Sequence, residues 1–205
     1  MTFDASRQRV LLFGGQLEGA ANLADTWSWD GADWTQVSDM GPPERAGAAM
    51  AFDAVRERVV LFGGVAASAL ADTWEWDGAE WTQVADTGPG ARALHGLTYD
   101  AVREQVVVFG GGDSSGNVLD DTWAWDGIDW TQVADTGPDA RYTHAMTFDV
   151  ATQRVLVFGG LSAPPTQAEL ADTWAWDGAA WTEVAHFGPP AAMGDLRSGR
   201  PLAVS

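Results

Sequence analysis

Apolar and polar positions along this chain fall into short runs, and the runs recur. Arg58-Val59-Val60-Leu61-Phe62 and Val106-Val107-Val108-Phe109 are apolar at successive positions, so each predicts a strand covered on both faces. Such runs end in Gly-Gly at Gly14-Gly15, Gly63-Gly64, Gly110-Gly111 and Gly159-Gly160, where the backbone needs freedom in φ or close approach. A second pattern follows each doublet: Asp-Thr-Trp-x-Trp-Asp-Gly-x-x-Trp-Thr-Gln/Glu-Val, in copies starting at Asp25, Asp72, Asp121 and Asp172. Its first two tryptophans lie two residues apart and share one face of a strand. Its Asp-Gly step marks a hairpin leading into a further strand. Upstream of each apolar run another strand ends in Phe/Tyr-Asp, as at Phe3-Asp4, Phe52-Asp53, Tyr99-Asp100 and Phe148-Asp149. Each period therefore predicts four short strands. The phenylalanines before the glycine doublets are 49, 47 and 49 residues apart. No segment has helical periodicity of useful length.

All 12 tryptophans lie in these copies, three to each. A lone four-stranded sheet with two apolar faces is not stable. Packing such sheets face to face around an axis covers every face, which predicts an all-β propeller of four blades, each of four antiparallel strands. The Gly-Gly doublet, the Asp-Thr-Trp-x-Trp-Asp string and the near-50-residue period resemble kelch repeats as far as about residue 187, over approximate units 1–37, 38–84, 85–133 and 134–187. WD40 repeats are the rival, through Trp29-Asp30 and its counterparts, but they are shorter and lack the glycine doublet after strand two. The kelch resemblance implies six or seven blades more often than four. Four blades predict a tight ring, an arc that associates, or a piece of a longer propeller. The start within a strand favours a fragment or a permuted boundary. The expectation is an arc or strained ring that self-associates through its end blades. Residues 188–205 begin a fifth lead-in and then diverge, with Ala192 in the place of Arg141 and Asp195 in that of His144, so a loose polar tail is expected.

The net charge of −18, with 11 arginines and no lysine, repels phosphate backbones and anionic membranes. Nucleic acid is thus not an expected partner, whereas a basic ligand would be drawn in. No uninterrupted apolar stretch approaches ~18 residues, so no membrane span is expected. The first residues do not form a basic segment followed by an apolar one, so no signal peptide is read there. The absence of cysteine excludes disulfides, thiolate nucleophiles and cysteine zinc sites.

Alternating strand direction places the loops between strands two and three on one face with the Gly-Pro-x-x-Arg connectors. These loops run over residues 16–24, 65–71, 112–120 and 161–171, and they vary while their surroundings repeat. Rigid scaffolds carry recognition on such loops. Candidate ligand-binding residues are Arg45, Arg92 and Arg141, which recur before strand one, with His95 and His144 and, in the third loop, Asp113 and Ser114. The arginines read either as a cationic rim suited to a carboxylate or as internal partners of acidic side chains and carbonyls in neighbouring blades. Two histidines without a third ligand make no metal site. Asp25, Asp72, Asp121 and Asp172 read as turn caps. The acids at the hairpins read as solvated turn residues rather than a calcium site, since Ala180 breaks their pattern. The tryptophans read as core rather than as sugar platforms.

These residues predict a non-catalytic scaffold for a protein or peptide, with no cofactor. One alternative is a glycan-binding module of an exported bacterial protein. Another is a kelch-type sugar isomerase or lyase using His95 with Arg92 or Arg141. The resemblance also implies comparison with galactose oxidase, whose family cofactor needs a cysteine crosslinked to tyrosine. This chain has no cysteine, which closes that chemistry.

Overall fold

The computed structural model describes residues 1–16 and 21–186. The expected tail over 188–205 lies outside the described residues, as does part of the first variable loop. Among the described residues every regular element is a strand, and no helix is long and apolar enough to cross a membrane.

Each repeat forms its own antiparallel sheet with strands in chain order. The first holds β1 (Thr2–Asp4), β2 (Arg9–Gln16), β3 (Asn22–Trp29) and β4 (Trp34–Ser38). The second holds β5 (Ala49–Asp53), β6 (Arg58–Phe62), β7 (Thr73–Trp76) and β8 (Trp81–Ala85). The third holds β9 (Gly96–Asp100), β10 (Gln105–Phe109), β11 (Thr122–Trp125) and β12 (Trp130–Ala134). After the short β13 (Arg141–Tyr142), the fourth holds β14 (Ala145–Asp149), β15 (Arg154–Phe158), β17 (Thr173–Trp176) and β18 (Trp181–Ala185). β16 (Leu161–Ser162) pairs with β13 instead of joining that sheet. The β13–β16 ladder was not legible in the hydrophobic pattern, because it pairs a connector with a variable loop.

The register lines up one side chain from each strand in a row across the sheet. In the second sheet the row is Phe52, Val59, Trp76 and Trp81. Its counterparts are Phe3, Val10, Trp29 and Trp34 in the first sheet, Tyr99, Val106, Trp125 and Trp130 in the third, and Phe148, Val155, Trp176 and Trp181 in the fourth. Three rows pack on the preceding sheet. The second meets Leu11 and Phe13, the third meets Val60 and Phe62, and the fourth meets Val107 and Phe109. Each buried aliphatic or phenylalanine side chain contributes about 1.5–3 kcal/mol to such a seam.

The second strand of each sheet records which faces are covered. Val59, Val60, Leu61 and Phe62 are all fully buried, because the second sheet has neighbours on both sides. In the fourth sheet burial alternates: Val155 and Val157 are fully buried, whereas Leu156 and Phe158 are only partly so. The first sheet shows the mirror pattern, with Leu11 and Phe13 buried and Val10 and Leu12 less so. Three apolar seams therefore join four sheets in series, and among the described residues no apolar cluster joins the fourth to the first.

Indole hydrogen bonds repeat at the seams. Trp81, Trp130 and Trp181 donate Nε1–H to Thr26, Thr73 and Thr122 of the preceding sheet at 2.9, 2.8 and 2.8 Å. These bonds satisfy the buried indole donors.

Candidate functional site

The connectors and the variable loops meet at one end of the sheets. Ala46 bridges to Val65, Ala93 to Gly112, and β13 to β16. Each connector arginine fixes this meeting. The backbone of Arg45 bonds the loop end of the first sheet's two central strands: its N–H donates to Leu23 O, and its carbonyl accepts from Gly15 N–H. Its side chain belongs to the second sheet. Nη1 and Nη2 donate to the two Asp72 oxygens at 2.6 and 2.8 Å, and Nη1 also donates to Gly63 O. Nε donates to Pro43 O. Arg92 and Arg141 repeat the arrangement on Asp121 with Gly110 O, and on Asp172 with Gly159 O.

The three guanidinium groups are almost wholly buried. Of the two readings of the arginines, the cationic rim and the internal partner, the geometry is that of the internal partner: each links consecutive sheets with four of its five N–H donors engaged. Of the aspartates read as turn caps, Asp72, Asp121 and Asp172 accept these guanidinium bonds, and all four accept an indole N–H from the tryptophan two residues on, as Trp74 donates to Asp72 at 2.7 Å. Burial alone would raise the carboxyls of Asp72 and Asp121. The hydrogen bonds from Arg45 with Trp74, and from Arg92 with Trp123, outweigh it and hold both below the usual range. For Asp172 the Arg141 hydrogen bond is the largest influence, and it lowers the carboxyl.

His95 and His144 stand three residues after two of these arginines and are buried. Their rings meet Phe62 and Phe109 edge-on at 5.3 and 5.4 Å, and among the described residues no ring nitrogen closes a full hydrogen bond, although the Phe62 and Phe109 backbones weakly favour the charged form. Burial first, then Arg92 and His144, push His95 down to about 3. Burial and Arg141 push His144 down to about 4. Both are neutral at physiological pH. Among the described residues no group of three His, Cys, Asp or Glu side chains could hold a metal.

The loops line an open cavity of about 320 Å³ between the second, third and fourth repeats. Its walls are chiefly apolar, with Val65, Leu94, Val118 and Pro164 among them, and Asn117, Tyr142 and Gln167 supply polar groups. Asp113 and Ser114 lie in this lining, and both also organise the loops. Ser114 Oγ accepts from Ala69 N–H at 2.6 Å, joining two repeats. Asp113 accepts from the backbone N–H of Ser115 and Asn117 and from Asn117 Nδ2. The Asn117 bonds hold its carboxyl below the usual range.

Leu94, Tyr142 and Gln167 were missed in the sequence reading. Leu94 had a legible signal: an apolar residue in an exposed connector where the other copies have Gly47 and Thr143. It is 47% exposed and holds φ +60°. Its backbone spans the repeats, donating to Gly47 O and accepting from Thr143 N–H. Tyr142 and Gln167 had none, since their contact depends on how two loops fold together.

At the opposite end the hairpin acids serve their turns. Asp77 Oδ1 accepts from the N–H groups of Ala79 and Glu80, and Asp177 does the same for Ala179 and Ala180. The turn closes without the second acid, which accounts for Ala180. Arg7 pairs with Asp4 and donates to Asp77 O in the next sheet's hairpin. Arg56 repeats the pairing on Asp53, and Arg103 on Asp100. Thr152 takes the arginine's place in the fourth sheet and bonds Asp149.

No family model matches this chain, and no curated protein matches it. The solved structure of YjhT is similar, with a TM-score of 0.63 at 16% identity. The likeness covers 78% of this chain and 50% of that one, so the chain spans about half the length of YjhT. At this identity the likeness is one of fold, and it extends over most of the chain.

Proposed function

We propose that the four sheets are blades of a kelch-type β-propeller, and that the protein is a non-catalytic scaffold binding a protein or peptide through its strand two–three loops. The observation that carries this reading is the apolar cavity of about 320 Å³ built by variable loops of successive repeats on a repeated frame. Its size suits one or two side chains. The net charge of −18 favours a ligand with basic residues beside the apolar anchor. The non-catalytic reading is supported by the burial of His95 and His144, which are held neutral away from solvent, and by the commitment of Arg92 and Arg141 to internal carboxylates. The tryptophan rows within the three seams support packing over sugar stacking.

The test is selection of a displayed random-peptide library on the wild-type protein, with the Leu94→Asp variant as control. The expected result is a family of peptides with an apolar residue flanked by Arg or Lys, binding the wild type at least tenfold tighter than the variant. Equal binding to both proteins overturns the cavity as the site. Retention on immobilised polysaccharide without peptide enrichment favours the glycan reading.

A further inference from the structure

Among the described residues the first and fourth sheets each carry a face that no other sheet covers, and the two faces are complementary. A groove of about 530 Å³ runs along the outer face of the fourth sheet, lined by Asp149, Thr152, Arg154, Leu156, Ala175 and Val184. A cavity of about 390 Å³ between the first and second sheets is lined by the repeat counterparts of all six: Asp4, Arg7, Arg9, Leu11, Ser28 and Val37. It has two further walls, Trp76 and Gly78, both from the second sheet. The fourth sheet thus presents the same groove with its roof missing.

The counterparts of the missing walls are Trp29 and Gly31, on the first sheet. That sheet's row faces no neighbour among the described residues: Phe3 is 50% and Trp34 43% exposed, against 8% for Trp81. The row is already formed. Trp29 and Trp34 lie 5.6 Å apart between centroids, as Trp76 and Trp81 lie 5.5 Å apart in the second sheet. The hydrogen-bond series is also short by one. Thr26, Thr73 and Thr122 each receive an indole N–H from the following sheet, whereas Thr173 receives none among the described residues. Trp34 is the corresponding donor, and among the described residues it meets no threonine.

We propose that the first sheet of one copy docks on the fourth sheet of a second copy, extending the chain's own seam between molecules. Trp29 roofs the groove, Trp34 donates to Thr173 Oγ1, and Trp34 meets Phe158 as Trp181 meets Phe109 at 5.2 Å. The occupant is a copy of this chain because each open face matches the other's known partner, down to the hydrogen-bond donor and acceptor. The association is heterologous, so it closes into a ring or propagates. It is weaker than an internal seam. Thr152 stands where Arg7, Arg56 and Arg103 reach towards the next hairpin.

The experiment is sedimentation velocity on the full chain across micromolar to submillimolar concentration, with Trp34→Glu and Val184→Glu. Both sites are partly exposed, so at the dilute end of the range, where no copies are associated, circular dichroism and melting of the variants should match the wild type. The wild type is expected to reach at least twice the chain mass at the upper concentrations. Each variant alone remains monomeric. Their mixture forms a pair and stops there, because each supplies the face the other lacks. A wild type that stays monomeric throughout overturns the proposal and leaves these faces to a different protein. A Val184→Glu variant that associates like the wild type overturns it in favour of contact between two first sheets. Peptide binding in the loop cavity is unaffected by either variant, so failure here leaves the proposed scaffold role standing.

Discussion

Arg92 closes two parallel hydrogen bonds on Asp121, at 2.6 and 2.8 Å, although the two residues stand 29 apart in the chain. The main chain of Arg92 is bonded to Gly64 and Leu70 of the preceding repeat, so this one residue ties two sheets together. The guanidinium is buried and the carboxylate is 22% exposed. Arg92→Met is expected to destabilise the fold by about 3 kcal/mol, the lower end for breaking a buried pair, because Asp121 retains some access to water. Urea denaturation measures it. Asp121→Asn, which keeps one acceptor, costs less.

The indole–threonine bonds give a second prediction with an internal control. Thr73 is fully buried and accepts from Trp130. Thr73→Val leaves that indole donor unsatisfied and should cost about 1–3 kcal/mol. Thr173→Val in the monomeric Trp34→Glu background removes no such bond and should change stability by less than about 0.5 kcal/mol. Parallel denaturation curves compare them.

Gly110 separates backbone strain from steric clash. Its φ is +66°, and a Cβ there would lie 2.6 Å from the carbonyl oxygen of Arg141. Gly116 has φ +84° but open space around it. Alanine at Gly116 should cost about 1–2 kcal/mol from the left-handed conformation alone. Alanine at Gly110 should cost distinctly more, since a fixed carbonyl must also move. Thermal melting ranks the two.

Acid acts on this fold in two windows. Burial lowers His95 from 6.5 to about 3 and His144 from 6.5 to about 4, so the native state resists their protonation. The unfolded chain takes up those protons first. Their stabilisation is therefore present above pH 6.5 and declines as the pH falls towards the folded values. From pH 7.5 to 5 the loss should be roughly 2 kcal/mol for each imidazole. His95→Ala/His144→Ala should flatten that slope, and Ala48 shows that the repeat accommodates alanine at this place. Below the ordinary carboxylate value, the depressed Asp72, Asp121 and Asp172 lose their contribution as they protonate through their folded values. Denaturation midpoints across a pH series separate the two windows.

Much of the sheet structure is legible in the sequence. The strand-two runs, the Asp-Gly hairpins and the paired tryptophans report local geometry, and each emerges as a strand or turn. The candidate site was less legible. Arg45, Arg92 and Arg141 could be picked out by recurrence, but recurrence alone does not say whether a guanidinium faces solvent or a carboxylate. His95 and His144 could be found, whereas their neutral state follows from burial. Asp113 and Ser114 can be picked out as members of a variable loop, whereas Tyr142 and Gln167 cannot, because their contact is made between two loops.

The sequence by itself determined the strands, their order and the apolar row each sheet presents, because a strand's two-residue period and its turn chemistry are written in neighbouring residues. Only the tertiary structure decided which rows are covered. Phe3-Val10-Trp29-Trp34 and Phe52-Val59-Trp76-Trp81 read alike in composition, yet one packs against Leu11 and Phe13 and the other lacks a preceding sheet among the described residues. Burial is a property of what lies across the seam, and a residue's neighbours along the chain carry no record of it.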